Sequence, residues 1–416
     1  MQRFGYEDSI PLRLLKNDRA SRSIHSGLVS AESPGGRGPR VLSTATRGRR
    51  FLIGLIVVLT TALIAVIAIA AVRALASGAK HLPVAIQTTS APRPTPTPTP
   101  LTPAQQLLKD AAEPATACAV TFISEGVELA PMLQTEGALY AGLPIPQRAG
   151  AVFAGWYPTL ETAQAQVHTD RVNGSQLAVC TDHERTLHAA WITPEQNLAE
   201  AAKVPILMYH QFTTKPEGES GWLRGNFVYV EDFRAQMDHV AAQGFYLPTW
   251  DELDAFIDGR LFLPRHSLII TDDDADPTWL ELAVPIVTER QLLTTSFVIT
   301  SARQDPTPSP FVLQRSHTND IHRAGDDGKG RMVNLSAEEV AADLEESARI
   351  LGSKEVVAYP YGHRNPTAEQ GVTQAGYPMA RTIEHGYVQV GTNKLQLPVI
   401  RMNYADTVAK LQKDIG

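Results

Sequence analysis

The sequence predicts an α/β protein: parallel strands covered by helices, preceded by a small β-rich module and by one transmembrane helix. Three observations carry this reading. From residue 204 onward, short apolar strands alternate with amphipathic helical stretches, the pattern of parallel strands joined by crossover helices. Over residues 117–192, several segments instead show the two-residue alternation of strands. Residues 51–72, FLIGLIVVLTTALIAVIAIAAV, run for 22 residues without a charge. As a helix such a run spans about 33 Å, enough to cross a hydrocarbon core.

The 416 residues suffice for two or three domains, and 43% hydrophobic with 19% charged residues is a globular composition. The net charge of −7 divides unevenly, with +6 in residues 1–50 and −13 in the remainder. An acidic body argues against nucleic acid as a partner, since that footprint is a basic face. Two cysteines exclude a cysteine-only zinc site and a disulfide-rich scaffold. Residues 1–50 are rich in Arg, Ser and Gly without apolar periodicity, which predicts a disordered basic tail facing anionic lipid. The flank RGRR at 47–50 precedes the apolar run, whereas only Arg73 and Lys80 follow it closely. The positive-inside rule then places the tail in the cytoplasm and the C-terminal domains outside a cell membrane crossed once. A cleaved signal peptide has a shorter apolar region nearer the N-terminus. Residues 73–103 read as an extracellular linker, with Pro at every second position from 92 to 100. That tract sets a domain boundary near residue 104.

Residues 104–200 form the predicted β module. ACAVTFI, AVFAGWY and TLHAAWI are strands, and PIPQRAG is a turn-rich connector. The motifs Val120-Thr121-Phe122, Pro146-Gln147-Arg148 through Gly155-Trp156-Tyr157, and Leu187 to Trp191 resemble the internalin-type B-repeat, a β-grasp module of bacterial surface proteins. Its Gly-rich first turn is replaced here by SEGVELAP. Cys118 and Cys180 both fall in this module, either as a disulfide, which an extracellular location permits, or as two buried thiols. Trp156 and Trp191 are core aromatics or sugar-stacking platforms.

Residues 201–416 carry the chemistry. VPILMYH is a strand leading into a loop, EDFRAQMDHVAAQG a helix ending at Gly244, SLIIT a buried strand, and WLELAVPIVTERQ a helix. TTSFVIT is a strand, SAEEVAADLEESARILG a helix and EVVAYPYG a strand. Four polar clusters end these strands: His210, Asp272 to Asp274, His317 with His322, and the loop 359–362. Catalytic residues of (β/α) barrels occupy that position. Three successive carboxylates after a buried strand are costly unless a cation is present. One Asp and two His make a three-ligand set with an open position, as a catalytic zinc or similar divalent site requires. A spacing of five puts His317 and His322 about 140° apart on a helix, so they converge only on a loop or irregular turn. On spacing alone, two surface histidines remain the plainer reading.

VPILMYHQF, TDDDADPTWLELAVPI, RSHTNDIH and AYPYG, in that order, resemble the motifs of the polysaccharide deacetylase (NodB-homology) family over about residues 203–404. The five-residue spacing and the Tyr209-His210 motif are similar to its biofilm poly-N-acetylglucosamine deacetylase branch. The resemblance implies a distorted (β/α) barrel that hydrolyses N-acetyl groups on sugars, or O-acetyl esters, with a divalent metal, zinc by preference. It implies Asp273 as general base, His210 as general acid, and Asp274, His317 and His322 as metal ligands. Tyr361, with Pro360 and Gly362, lines the site and offers a backbone N–H to the oxyanion. Arg401 matches the family's late arginine and orients a carboxylate, Asp273. Two positions depart from the pattern: Asp272 stands for Phe and Ala275 for Gly. Asp272 adds a negative charge that raises the pKa of Asp273 or competes for the metal, or, from the opposite strand face, pairs with a buried cation or reaches solvent. Ala275 is strained if the glycine has positive φ. The expected protein is a membrane-anchored, extracellular, metal-dependent deacetylase of N-acetylglucosamine-containing polysaccharide, either exopolysaccharide or peptidoglycan. The alternative is an attenuated surface protein that binds glycan or a partner through the module and barrel.

Overall fold

Among the described residues, Thr102 caps the first helix, α1 (Pro103–Lys109), in a reciprocal capping box with Gln105, and Pro103 supplies its first turn. The computed structural model describes residues 100–303 and 309–416. The basic tail, the predicted membrane span 51–72 and the linker up to residue 99 lie outside the described residues. Among the described residues no helix is long and apolar enough to cross a membrane.

The module is a four-stranded mixed sheet. Its strands β1 (Ala117–Ile123), β2 (Met132–Thr135), β3 (Val152–Tyr157) and β4 (Glu184–Ile192) lie in the order β2-β1-β4-β3, with β1 and β4 parallel at the centre. Helix α2 (Leu160–Ala165) joins β3 to β4. Cys118 on β1 is bonded to Cys180 in the loop before β4, closing a separation of 62 residues. Strand β3 is buried throughout because it has cover on both faces. Val152, Ala154 and Tyr157 pack with Ala163 of α2, while Phe153 and Trp156 join Phe122 and Leu187. Phe153 and Trp156 share a face, despite their odd separation, because the register shifts between Phe153 and Gly155. Gly155 has φ +107, and a Cβ there would strike the Arg171 side chain. Trp156 is a core residue whose indole donates to the Pro144 carbonyl at 2.8 Å. Arg148 covers the ring of Trp191 at 4.6 Å, so the Arg and Trp of the repeat-like motif are packed on one another.

Seven parallel strands close a ring in the C-terminal part. In chain order they are β5 (Ile206–Tyr209), β8 (Ile269–Asp273), β9 (Thr294–Val298), β10 (Val312–Ser316), β11 (Val356–Ala358), β12 (Met379–His385) and β13 (Leu397–Arg401), and β13 pairs with β5. A short pair, β6 (Gln211–Thr213) and β7 (Phe227–Tyr229), brackets the loop after β5. Alternation divides the strands' side chains. Ile206, Met208, Ile269, Phe297, Val356, Ala358, Met379, Leu397 and Val399 form one cluster. Leu207, Tyr209, Ile270 and Ile400 belong to another, with Phe233, Met237 and Val240 of helix α4 (Val230–Gln243) and Leu411 of helix α9 (Val408–Ile415).

The ring and the module share one core. Helix α5 (Trp250–Ile257) packs at the ends where the strands begin, with the Trp250 indole donating to Thr295 Oγ1 at 2.9 Å. Phe153 and Trp156 of the module belong to the same apolar cluster as Trp250, Phe256, Leu261 and the first set of strand residues. Phe153 extends a strand-like contact to the segment after α5, its N–H donating to the Arg260 carbonyl and its carbonyl accepting from Phe262. Glu252 is the polar centre of this junction. Asn173 Nδ2 donates to it at 2.7 Å, the Thr249 N–H at 3.0 Å, and Tyr246 O–H as well, with the Arg171 guanidinium 3.6 Å away. Arg171 lies over the Tyr246 ring and donates to the Phe262 carbonyl at 2.7 Å.

Candidate active site and metal centre

The chemistry collects at the opposite end of the ring, where the strands finish. Beyond β8 the chain turns through two residues in the left-handed region, Asp274 (φ 77) and Ala275 (φ 52). Thr318 (φ 71) and Tyr361 (φ 57), in the loops after β10 and β11, share that conformation. Non-glycine residues held there mark a site whose surroundings enforce the geometry. A single π-helical turn, Trp279–Ala283, follows the Asp274 turn, and such turns are frequent at functional sites.

Asp274, His317 and His322 converge. His317 Nε2 lies 3.4 Å and His322 Nε2 3.5 Å from Asp274 Oδ1, and the three potential ligand atoms all fall within 4.8 Å of one another. The five-residue histidine spacing is met on a turn, as the sequence required. His317 Nδ1 is 2.9 Å from the Ala358 carbonyl, so Nδ1 carries the proton and Nε2 presents a bare lone pair to the carboxylate. Burial, reinforced by His322, holds His317 well below the usual histidine range, and burial lowers His322 also. Burial, with repulsion from Asp273 and Asp276, raises Asp274 to about 7. Neutral imidazoles facing a buried carboxylate oxygen that accepts no hydrogen bond leave acceptors directed at acceptors. A divalent cation resolves that conflict. Separations near 3.4 Å match the edge of a tetrahedron of N and O ligands about 2.1 Å from zinc.

Asp273, beside this set, is buried and paired with Arg381 of β12 and, at 3.6 Å, with His210 Nε2. Burial alone pushes its carboxyl up, but Arg381, His210 and His317 together bring it down to about 2. Burial, with Arg401 and Arg381 nearby and Asp273 opposing, lowers His210 to about 4. The resting pair at neutral pH is therefore an ionised Asp273 and a neutral His210. Tyr209, the other half of the Tyr-His motif, points away and donates to Gln236 at 2.8 Å.

Several expected roles change. Arg401 does not orient Asp273: it donates to Asn226 Oδ1 at 2.5 Å, and Arg381 holds the carboxylate instead. Sequence reasoning missed Arg381, although an Arg inside the apolar stretch YPMARTI was a signal, since a buried cation requires a partner. It lies over Phe297, 4.9 Å from the ring centre, and reaches Met208 Sδ. Asp272 neither reaches solvent nor meets a cation. The face it leaves is covered by the helical layer, and Ser296 on β9 donates to its Oδ2 at 3.4 Å. Burial, then Asp273 and Asp274, push its carboxyl well above the carboxylate range, and it lies outside the ligand set. In the 359–362 loop, Tyr361 sits beside His322 with ring centres 4.6 Å apart. Pro360 has no N–H, and that of Gly362 is taken by the Tyr359 carbonyl at 2.9 Å, which removes both as oxyanion donors. His363 accepts from the Gly330 N–H at 2.8 Å and so braces the loop.

Comparison with known proteins bears on this arrangement. No protein-family model matches the chain. Poly-β-1,6-N-acetyl-D-glucosamine N-deacetylases of Staphylococcus aureus are 25% identical over 158 residues, covering 33% of this chain and 54% of theirs. Over those residues the chain is similar to these polysaccharide deacetylases. It spans about half the length of the curated relatives it matches, 54%. Among solved structures, the Streptococcus pyogenes deacetylase PplD in complex with acetate is 19% identical (TM-score 0.44), covering 52% of this chain and 99% of PplD. IcaB from Ammonifex degensii is 21% identical (TM-score 0.43), covering 52% of this chain and 98% of IcaB.

Proposed function

We propose that the protein is a metal-dependent deacetylase that removes N-acetyl groups from N-acetylglucosamine-containing polysaccharide, exopolysaccharide or peptidoglycan, outside the cell membrane. One observation carries the reading: Asp274, His317 and His322 meet as a ligand set immediately beside an Asp273 held ionised by Arg381. Zinc suits the donors, and a bound divalent ion would supply Lewis acidity to polarise the acetyl carbonyl and acidify water. Asp273 takes the proton of the attacking water as its oxygen forms a bond to the carbonyl carbon. His210 holds no stored proton at neutral pH, so the proton for the leaving nitrogen is the one captured by Asp273, passed on through His210. The C–N bond then breaks, leaving acetate and the free amine, and Asp273 returns to its ionised state. Tyr361, beside His322, would line the site on the side where the oxyanion develops.

The two departures do not favour the binding-only alternative. Asp272 is directed away from the ligand set, and Ala275 adopts the left-handed conformation without glycine. The charge-free run 51–72 with its RGRR flank supports the membrane anchor. The decisive experiment measures free-amine and acetate release from defined N-acetylglucosamine oligosaccharides by metal-loaded and chelator-treated protein. Release that chelation abolishes and zinc restores is the expected result. Failure to release acetate with any divalent metal leaves the glycan-binding alternative.

A further inference from the structure

We propose that Asp343, on the helix α7 (Ala337–Leu351), is a positioning residue that sets the turn between the two histidines. The proposal rests on the metal-centre reading above. A spacing of five fits neither a helix nor a strand, so convergence of His317 and His322 depends wholly on the turn between them. That turn passes through Thr318 at φ 71, an unfavourable conformation for a β-branched residue, which persists only where neighbours enforce it.

The enforcement comes from two sides. On one, Asn319 N–H donates to Asp343 Oδ1 at 2.7 Å and Asp320 N–H donates to Asp343 Oδ2 at 2.8 Å. One helical turn on, Ser347 Oγ lies 2.8 Å from Ser316 Oγ, which accepts the Thr318 N–H at 3.1 Å. Asp343 and Ser347 are four residues apart and so share the helix face that grips the turn. On the other side, the Thr300 and Ser301 N–H groups donate to the carbonyls of Thr318 and Asn319, each at 3.1 Å. Thr300 Oγ1 also donates to Asn319 Oδ1 at 2.9 Å. Two adjacent N–H groups call for two acceptor oxygens in one plane, which a carboxylate supplies and an amide does not. Asp343 is placed to act on the centre through the turn: it accepts from the Asn319 and Asp320 N–H groups between the two histidines.

The test titrates zinc and cobalt(II) into the full chain and follows amide exchange at residues 318–322. Asp343→Asn should weaken metal binding about 10–100-fold, the usual range for groups that orient ligands, and alter the cobalt(II) absorption. Exchange at Asn319 and Asp320 should accelerate. Adding Thr318→Gly to that variant should recover much of the affinity, because glycine holds positive φ without strain. If Asp343→Asn does not fold, Asp343→Glu, which keeps both oxygens but displaces them, is read by the same two measurements. Wild-type affinity and an unchanged cobalt(II) spectrum in a folded variant would overturn the proposal. Wild-type protein that binds no metal overturns the functional reading instead, and unchanged exchange at 319–320 then overturns this one separately.

Discussion

At the scale of single residues, the site depends on a buried charge balance. Arg381 and Asp273 are both buried, and breaking such a pair costs about 3–5 kcal/mol because the remaining charge has no water. The folded value of Asp273, about 2, lies below its unfolded value near 4. Its contribution to stability is therefore complete above about pH 4 and is lost as pH falls toward 2. Arg381→Met should destabilise the protein, raise the pKa of Asp273 and move the acid limb of the pH–rate profile upward. An unmoved limb, measured in the folded variant, would remove Arg381 from its role. Ala275 offers the opposite case. At φ 52 it bears a strain of about 1–2 kcal/mol, partly offset in a glycine by backbone entropy. Ala275→Gly should raise the melting temperature by a few degrees without weakening metal binding, measured by calorimetry and metal titration.

Single elements show how motif residues earn their place. The Gly-Trp-Tyr strand combines a bulge, a positive-φ glycine and two rings on one face, and each requires the others. Gly155→Ala would push a methyl group into the buried Arg171 side chain and strain the backbone, for a cost of about 3 kcal/mol. A denaturant midpoint within error of wild type would contradict this account. The Cys118–Cys180 bond closes a long loop in the same module and should contribute about 4 kcal/mol on the chain-entropy model. Reduction under native conditions, followed by a denaturation curve, measures that contribution.

For the described part of the molecule, the module is integral to the C-terminal ring of strands. The Glu252 junction and the shared apolar cluster join the two, so residues 100–416 should unfold in one calorimetric transition. Glu252→Gln should lower that single transition, because Arg171 is left without its carboxylate. Two resolved transitions in wild type would show that the module folds independently. The junction lies where the strands begin and the ligand set where they end. Trp156, placed in the core at this junction, has no free face for a sugar ring. The topology expected from the RGRR flank has its own test at this scale. Protease added to intact cells should remove the C-terminal domains and spare the tail, whereas a protected barrel would refute the extracellular placement.

Much of this was legible in the order of residues, for reasons of local physics. Alternating strand and helix patterns determined the α/β class, because burial periodicity is a property of neighbouring residues. Asp273, Asp274, His317 and His322 were recognisable through four ordered motifs that resemble the polysaccharide deacetylases, whereas spacing alone left the two histidines as surface residues. Their convergence was not legible, since a five-residue spacing is compatible with many turns, and Asp343, twenty-one residues beyond His322, holds the one observed. The partner of Asp273 was misassigned for a related reason. Arg381 and Arg401 both lie in apolar strands near the C-terminus, and only the closure of the ring decides which guanidinium reaches the carboxylate and which is captured by Asn226. Asp272 shows the same limit: alternation gives the face of a strand, but whether that face meets water or a helix is settled by residues distant in sequence. What the sequence alone determined was the inventory of elements and chemical groups. Pairing, burial and charge balance came from the tertiary structure, because each depends on groups that only the folded chain brings within a few ångströms.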